Sequence, residues 1–300
     1  MLTYEALSTL RLLRWQTKNI AIFMSLSIAV VIAEQLTGEV AGVLPDVPVT
    51  VLGSAIGIYV SFRTNSAYDR WWEGRKLWGQ LVNSSRHFCA QLLSYLPGEP
   101  QRDSCRELML HHMLYVHALR CELRGESVLE DPDVARLASE CSGPIDISRP
   151  TLTTRILRGQ LQRLASLTNE GSLDARRLQS LDTTLATLLD VQGGCERIRN
   201  TPLPPGYARI SELLVRTYAV LLPLAIVDDL HWIAIPVSIV VCLAFKLISE
   251  VGRVLEDPFT RAWDALPLYA LSRTIERNLR DAIGDTLPPP AQPDRRGVLL

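Results

Sequence analysis

Residues 53–79 read GSAIGIYVSFRTNSAYDRWWEGRKLWG. Its first half is a helical pattern in which Gly53, Ser54, Ala55, Gly57 and Ser61 are small, a composition that lets helices approach closely inside a membrane. Ser54, Ile58 and Phe62 lie at i, i+4 and i+8, so they form one stripe down one helix face. If identical copies of the helix ringed an axis, the stripe would stack as rings of moderate size. That is a hydrophobic constriction, which an ion crosses only when it is wet. The plainer reading of the small residues is helix packing, and that of Phe62 is an aromatic at the membrane edge.

Outward from this stretch, the apolar residues gather in four runs nearly free of charge, at residues 19–33, 47–62, 217–227 and 230–245. Each is shorter than the roughly 20 residues a bilayer-crossing helix needs, which taken alone suits buried core helices. Each also extends through mildly polar residues before it meets a charge able to snorkel to the interface. The order of the charges weighs more. Arg11, Arg14 and Lys18 precede the first run; Glu34, Glu39 and Asp46 follow it; Arg63, Arg70, Arg75 and Lys76 follow the second. Arg209 and Arg216 precede the third run, Asp228, Asp229 and His231 separate it from the fourth, and Lys246 and Arg253 come last. Basic, acidic, basic, twice over, is the positive-inside pattern of two hairpins. It predicts an all-α integral membrane protein with four transmembrane helices, both termini and the whole middle lying in the cytoplasm.

The predicted segments are residues 1–62, holding the first hairpin with helices at about 19–36 and 45–62; 63–207, a cytoplasmic helical region; 208–250, the second hairpin; 251–286, a cytoplasmic helical segment; and 287–300, a Pro-rich disordered tail. Turn residues cluster near 97–100, 131–133, 141–150 and 169–174, and amphipathic stretches such as 105–123 and 173–191 run between them. No period-two pattern competes. The 300 residues carry Lys+Arg 31 against Asp+Glu 32, a net charge of -1, so the chain lacks the basic field of a general nucleic-acid binder. The six cysteines form no CxxC pair, which fits reduced thiols rather than a disulfide or zinc framework.

Arg70-Trp71-Trp72 after an apolar helix, and Asp257-Pro258-Phe259 after the last apolar run, resemble paired signatures of the bestrophin family of pentameric ion channels. The stretches at 62–79, at 195–202 (CERIRNTP) and at 275–279 (IERNL) are similar to its prokaryotic branch, and the likeness covers nearly the whole chain in order. The resemblance implies a homopentamer in the bacterial inner membrane, with one central pore for small monovalent ions and a large cytoplasmic vestibule. It carries the pore neck onto Ser54, Ile58 and Phe62, the stripe already found. It also implies a second constriction, in or just before the helix at 173–191.

The chain departs from the family pattern twice. Animal members fill more of the neck with aromatic rings, whereas here Ser and Ile stand above a single Phe, so both ion signs stay open; some prokaryotic members conduct cations. Acidic Glu34, Glu39 and Asp46 near the outer mouth favour cations, and Arg63 below the neck favours anions. Where the animal channels bind calcium after the Pro-Phe dipeptide, residues 260–264 read TRAWD, with a cation inside the expected cage. No calcium gating is expected.

No other chemistry stands out. Glu107, His111, His112, His117 and Cys121 tempt a metal reading, but their faces are mismatched by one residue, and no metal site is expected. No cofactor motif, activated nucleophile or catalytic group is present, so an enzyme is not expected. Glu250 with Arg253, and Glu256 or Asp257, read as ion pairs or helix caps. The alternative function is a membrane-anchored helical scaffold or receptor that binds a cytoplasmic partner.

Overall fold

The computed structural model describes residues 16–38, 46–142, 145–148, 151–262 and 265–293. Among these residues the regular structure is entirely helical. In chain order the helices are α1 (Thr17–Thr37), α2 (Asp46–Tyr95), α3 (Glu99–Arg124), α4 (Pro132–Glu140), α5 (Leu152–Asn169), α6 (Ala175–Asn200), α7 (Pro205–Leu230), α8 (Ala234–Leu255) and α9 (Leu268–Ile283). The turn clusters read from sequence fall at the breaks between α2 and α6. Asp131 caps α4 by accepting from the backbone N–H groups of Asp133 and Val134, with Pro132 in the first turn. Asp174 caps α6 in the same way through Arg177 N–H.

The chain divides into two compact units. One comprises Leu2–Trp71 and Pro202–Pro258, and so holds α1, the first part of α2, α7 and α8. Here α1 packs on α7 and α8, which pack on each other. Its core joins Phe23 of α1, Val49, Ile56 and Val60 of α2, Val215, Tyr218 and Leu222 of α7, and Cys242 of α8. Close approach depends on missing side chains: a Cβ on Gly53 would sit 2.7 Å from the Tyr218 hydroxyl oxygen, and one on Gly252 3.0 Å from Thr64 Oγ1.

Two helical stretches of this unit are long and apolar enough to cross a membrane, Thr17–Thr37 and Pro205–Leu255. The second is 51 residues long and turns at a short 3-10 segment, His231–Ile233, where His231 takes φ 46°. The two late prolines do not break their helices. Pro223 lies inside a continuous α7, and Pro236 falls in the first turn of α8, where its missing N–H costs no intrahelical bond.

The other unit comprises Trp72–Thr201 and the chain from Phe259 onward, and so holds the rest of α2, α3 to α6, and α9. α3 is its centre, with α4, α5, α6 and α9 packed against it. From Leu108 to Cys121 nearly every α3 side chain is buried, Met109, Met113, Leu114, Tyr115 and Val116 among them. A helix buried all round needs neighbours on every side, which explains why α3 lacks one clean polar face.

α2 passes from one unit into the other as one 50-residue helix. The edge drawn from sequence at 62 marks where charged residues begin, and the helix runs straight across it. Beyond Ile283 the chain carries no regular element as far as residue 293, and the Pro288 carbonyl accepts a hydrogen bond from Arg277. The remainder of the expected disordered tail, residues 294–300, lies outside the described residues.

Candidate functional site

The exposed face of α2 is built from residues that its buried face leaves over. Val49, Ile56, Val60 and Ala67 point into the core and are almost fully covered. On the other side Ser54, Gly57, Ile58, Ser61, Phe62 and Asn65 line a shallow groove of about 410 Å³. Ile58 is 60% exposed and Phe62 68% exposed, although both sit in a helix whose opposite residues, Ile56 and Val60, are 0% and 1% exposed. Large apolar groups left bare in a row, on a helix otherwise well packed, mark a surface built to face something other than bulk water.

The three stripe residues therefore share one surface, joined by a second column of Gly57, Ser61 and Asn65, of which the sequence reading named Gly57 and Ser61 only as small residues. Its signal was present, since 57, 61 and 65 repeat the four-residue spacing one position before the stripe. The Ser54 hydroxyl donates to the Thr50 carbonyl (3.1 Å), so its proton is engaged within the helix and its oxygen lone pairs face outward.

Arg63 is placed differently from the sequence expectation. Its guanidinium does not lie below the stripe but on the opposite side of the helix, 4% exposed. It donates to Ser249 Oγ (3.2 Å) and pairs with Glu256 (3.4 Å). Glu250, by contrast, pairs within α8, with Lys246 at 3.7 Å and with Arg253.

The two dispersed motifs meet through one hydrogen bond. Arg70 Nε donates to the Glu256 carbonyl (3.1 Å), tying the Arg-Trp-Trp sequence to the residue before Asp257. Trp71 stacks with Tyr68 at a centroid distance of 6.2 Å, and Trp72, 44% exposed, has the Lys76 ammonium 5.9 Å from its ring. Pro258 and Phe259 are buried while Asp257 is exposed. Trp263 and Asp264, the end of the expected calcium segment, lie outside the described residues. Arg261 in that segment donates from Nε to Glu126 (2.7 Å).

The histidines of α3 go separate ways. His112 bonds Ser85 Oγ (2.9 Å) between the rings of Phe88 and Tyr115, and burial pushes its imidazole down to about 3. His117 reaches Glu276 (3.1 Å), and burial likewise lowers its pKa, so it stays neutral and donates its Nε2–H. One set of possible ligand atoms does converge, on Cys121, Glu126 and Asp131. Arg120 pairs with Asp131 and Arg261 with Glu126, so guanidinium groups already hold the place of a cation there.

A hub that sequence reasoning missed is Glu276, fully buried in α9. Arg136 (2.7 Å), Arg273 (3.1 Å) and Arg280 (2.9 Å) all reach its carboxylate. Burial alone would raise its pKa, but the hydrogen bonds and charge around it win and hold the carboxyl well below the usual range. Arg273 and Arg280, at i−3 and i+4, were legible as neighbours. Arg136 and His117 lie some 140 and 159 residues away, and only the fold brings them in.

The model of the family described as bacterial/fungal bestrophin protein matches residues 9–281. The chain belongs to the bestrophin family. Among its relatives, the voltage-dependent anion channel-forming protein of Ralstonia nicotianae is 35% identical, over 81% of this chain and 78% of its own. The voltage-dependent anion channel-forming protein YneE of Escherichia coli K12 is 32% identical, over 83% and 80%. The crystal structure of a bacterial bestrophin homolog from Klebsiella pneumoniae superposes with a TM-score of 0.81 at 32% identity, covering 89% of this chain and 98% of that one. This bestrophin thus shares the all-helical fold of the solved homolog along nearly its entire length.

Proposed function

We propose that this bestrophin is a homopentameric ion channel of the bacterial inner membrane, passing small monovalent ions along the Ser54, Ile58 and Phe62 face of α2. The observation that carries this reading is that bare face. Among the described residues nothing covers Ile58 and Phe62, and a ring of copies would turn five such faces onto one axis. The stacked side chains would form a neck that empties of water readily and conducts when wetted. The Ralstonia and Escherichia relatives are named as anion channel-forming proteins, which agrees with a conducting role.

In this reading α1, the first part of α2, α7 and α8 are the four membrane helices of each subunit, and both termini and the α3-centred unit are cytoplasmic. The alternation of basic and acidic flanks supports that orientation. Calcium plays no part in opening: Arg261, engaged with Glu126, brings a cation into the segment where calcium would need several carboxylates. The second constriction is assigned to the region of α6 through the family resemblance alone.

The test is single-channel recording of purified protein in planar bilayers. Ile58→Ala and Phe62→Ala are expected to raise or reshape the unitary current, since each removes bulk from the neck. A membrane-anchored scaffold gains nothing from that stripe, and conductance that is absent, or identical in every variant, would favour the scaffold. Reversal potentials under a NaCl gradient read the sign of the permeant ion directly.

A further inference from the structure

Arg63 follows Phe62 in the chain yet stands behind it. At 3.6 residues per turn, Arg63 lies about 170° around α2 from the midline of the groove. There it is 4% exposed, with Glu256 at 3.4 Å and Ser249 Oγ at 3.2 Å. Ser249 in turn lies 3.0 Å from Ser211 Oγ, and Arg70 fixes the Glu256 carbonyl at 3.1 Å. Lys246, Glu250 and Arg253 of α8 pair among themselves, so Glu256 is the carboxylate that answers Arg63. None of the six residues lining the groove is charged.

Charge held inside protein acts at longer range than charge on a wetted surface, because salt does not enter to screen it. One helix diameter, about 10 Å, separates the two sides of α2. Arg63 alone would therefore lay a positive potential on the groove, and Glu256 beside it cancels most of that potential.

We propose that Arg63 and Glu256 set the ion preference of the passage from behind its wall, Glu256 holding the groove near electrical neutrality by cancelling Arg63. The proposal rests on the channel reading above. In a ring every subunit contributes the same pair, so any imbalance is multiplied by the number of subunits. Both are tuning residues that never touch the ion, and their effect differs from that of a structural clamp in one respect. Neutralising the two partners must push the ion preference in opposite directions.

The experiment measures reversal potentials in asymmetric KCl for the full-length wild type, Glu256→Gln, Arg63→Gln and the double variant. Glu256→Gln is expected to lower the cation-to-anion permeability ratio and Arg63→Gln to raise it, each by about three- to tenfold, with the double variant within about twofold of wild type. Single variants that shift the ratio in the same direction overturn the proposal, as does a double variant that keeps either shift. Should Glu256→Gln fail to assemble, Arg63→Gln and the double variant still decide, since the first must raise the ratio and the second must return it. Wild-type current with a ratio unmoved by every variant sinks only this proposal. Wild-type protein that passes no current overturns the channel reading, and this one with it.

Discussion

The two units solve the same problem, joining helices distant in sequence, by different means. In the unit that holds α1, α7 and α8, contact is made by small residues and apolar side chains: Gly53 leaves room for Tyr218, Gly252 for Thr64, and, among the described residues, a single buried guanidinium is matched by Glu256. In the unit centred on α3, the elements α3, α4 and α9 are fastened by a charged hub. Glu276 receives three arginines and a histidine, and Arg273 and Arg136 continue to Asp133. Apolar surroundings make each polar group costly, so few are used. Where water-exposed faces lie nearby, a larger network is tolerated, and its members are held by one carboxylate rather than by shape.

If that contrast is right, the largest effect comes from removing the hub. Glu276→Gln leaves buried arginines facing a neutral amide, and a loss of about 3–5 kcal/mol is expected, as for other buried pairs broken on one side. Thermal unfolding in detergent would read it; a loss below about 1 kcal/mol would mean that the arginines find other carboxylates and that the hub is redundant.

Acid provides a second, smaller break in the same unit. The His112 imidazole, pushed down to about 3, is neutral when folded over a range in which the unfolded chain takes up a proton. Stability is therefore full above the ordinary histidine range and falls as pH drops below it, by about 2 kcal/mol between pH 6.5 and pH 5. Glu276, held low, adds to this in the same direction, because its contribution is present above the ordinary carboxylate range and is lost as the pH falls through and below it. His112→Gln should flatten the slope between pH 7 and pH 5 in a pH series of unfolding temperatures. An unchanged slope would assign the acid sensitivity elsewhere.

The smallest effect sharpens the other half of the contrast. Gly53→Ala places a methyl group 2.7 Å from the Tyr218 oxygen, and about 1–2 kcal/mol of destabilisation is expected. Tyr218→Phe in the same chain removes the nearest atom but leaves ring carbons at 3.0 and 3.2 Å, and should recover part of it. Failure of that rescue would mean that Gly53 matters for backbone freedom rather than for close approach.

Much of this was legible in the residues themselves. The charge-free runs and the basic and acidic flanks are local patterns, and so is the spacing of Ser54, Ile58 and Phe62, because a helix repeats every 3.6 residues whatever surrounds it. The turn clusters that divide α2 to α6 could be read for the same reason, since Asp131, Pro132 and Asp174 act on the backbone next to them. The Arg-Trp-Trp and Asp-Pro-Phe motifs, resting on resemblance, pointed to the family that the comparisons then showed.

Direction and partnership needed the tertiary structure. Arg63 looked from sequence like a charge below the neck, because it follows Phe62. Only the packing of α2 on α7 and α8 shows which face is buried, and so sends its guanidinium to Glu256. The histidines of α3, set by the sequence on mismatched faces, take their partners from the neighbours each one faces. Glu276 stood in the sequence only as part of the stretch at 275–279 that carries the family likeness, and its partners His117 and Arg136 are brought to it by α3 and α4. Periodicity is a property of the chain and can be read along it, whereas the partner of a buried charge is fixed by whichever distant segment the apolar surfaces bring alongside.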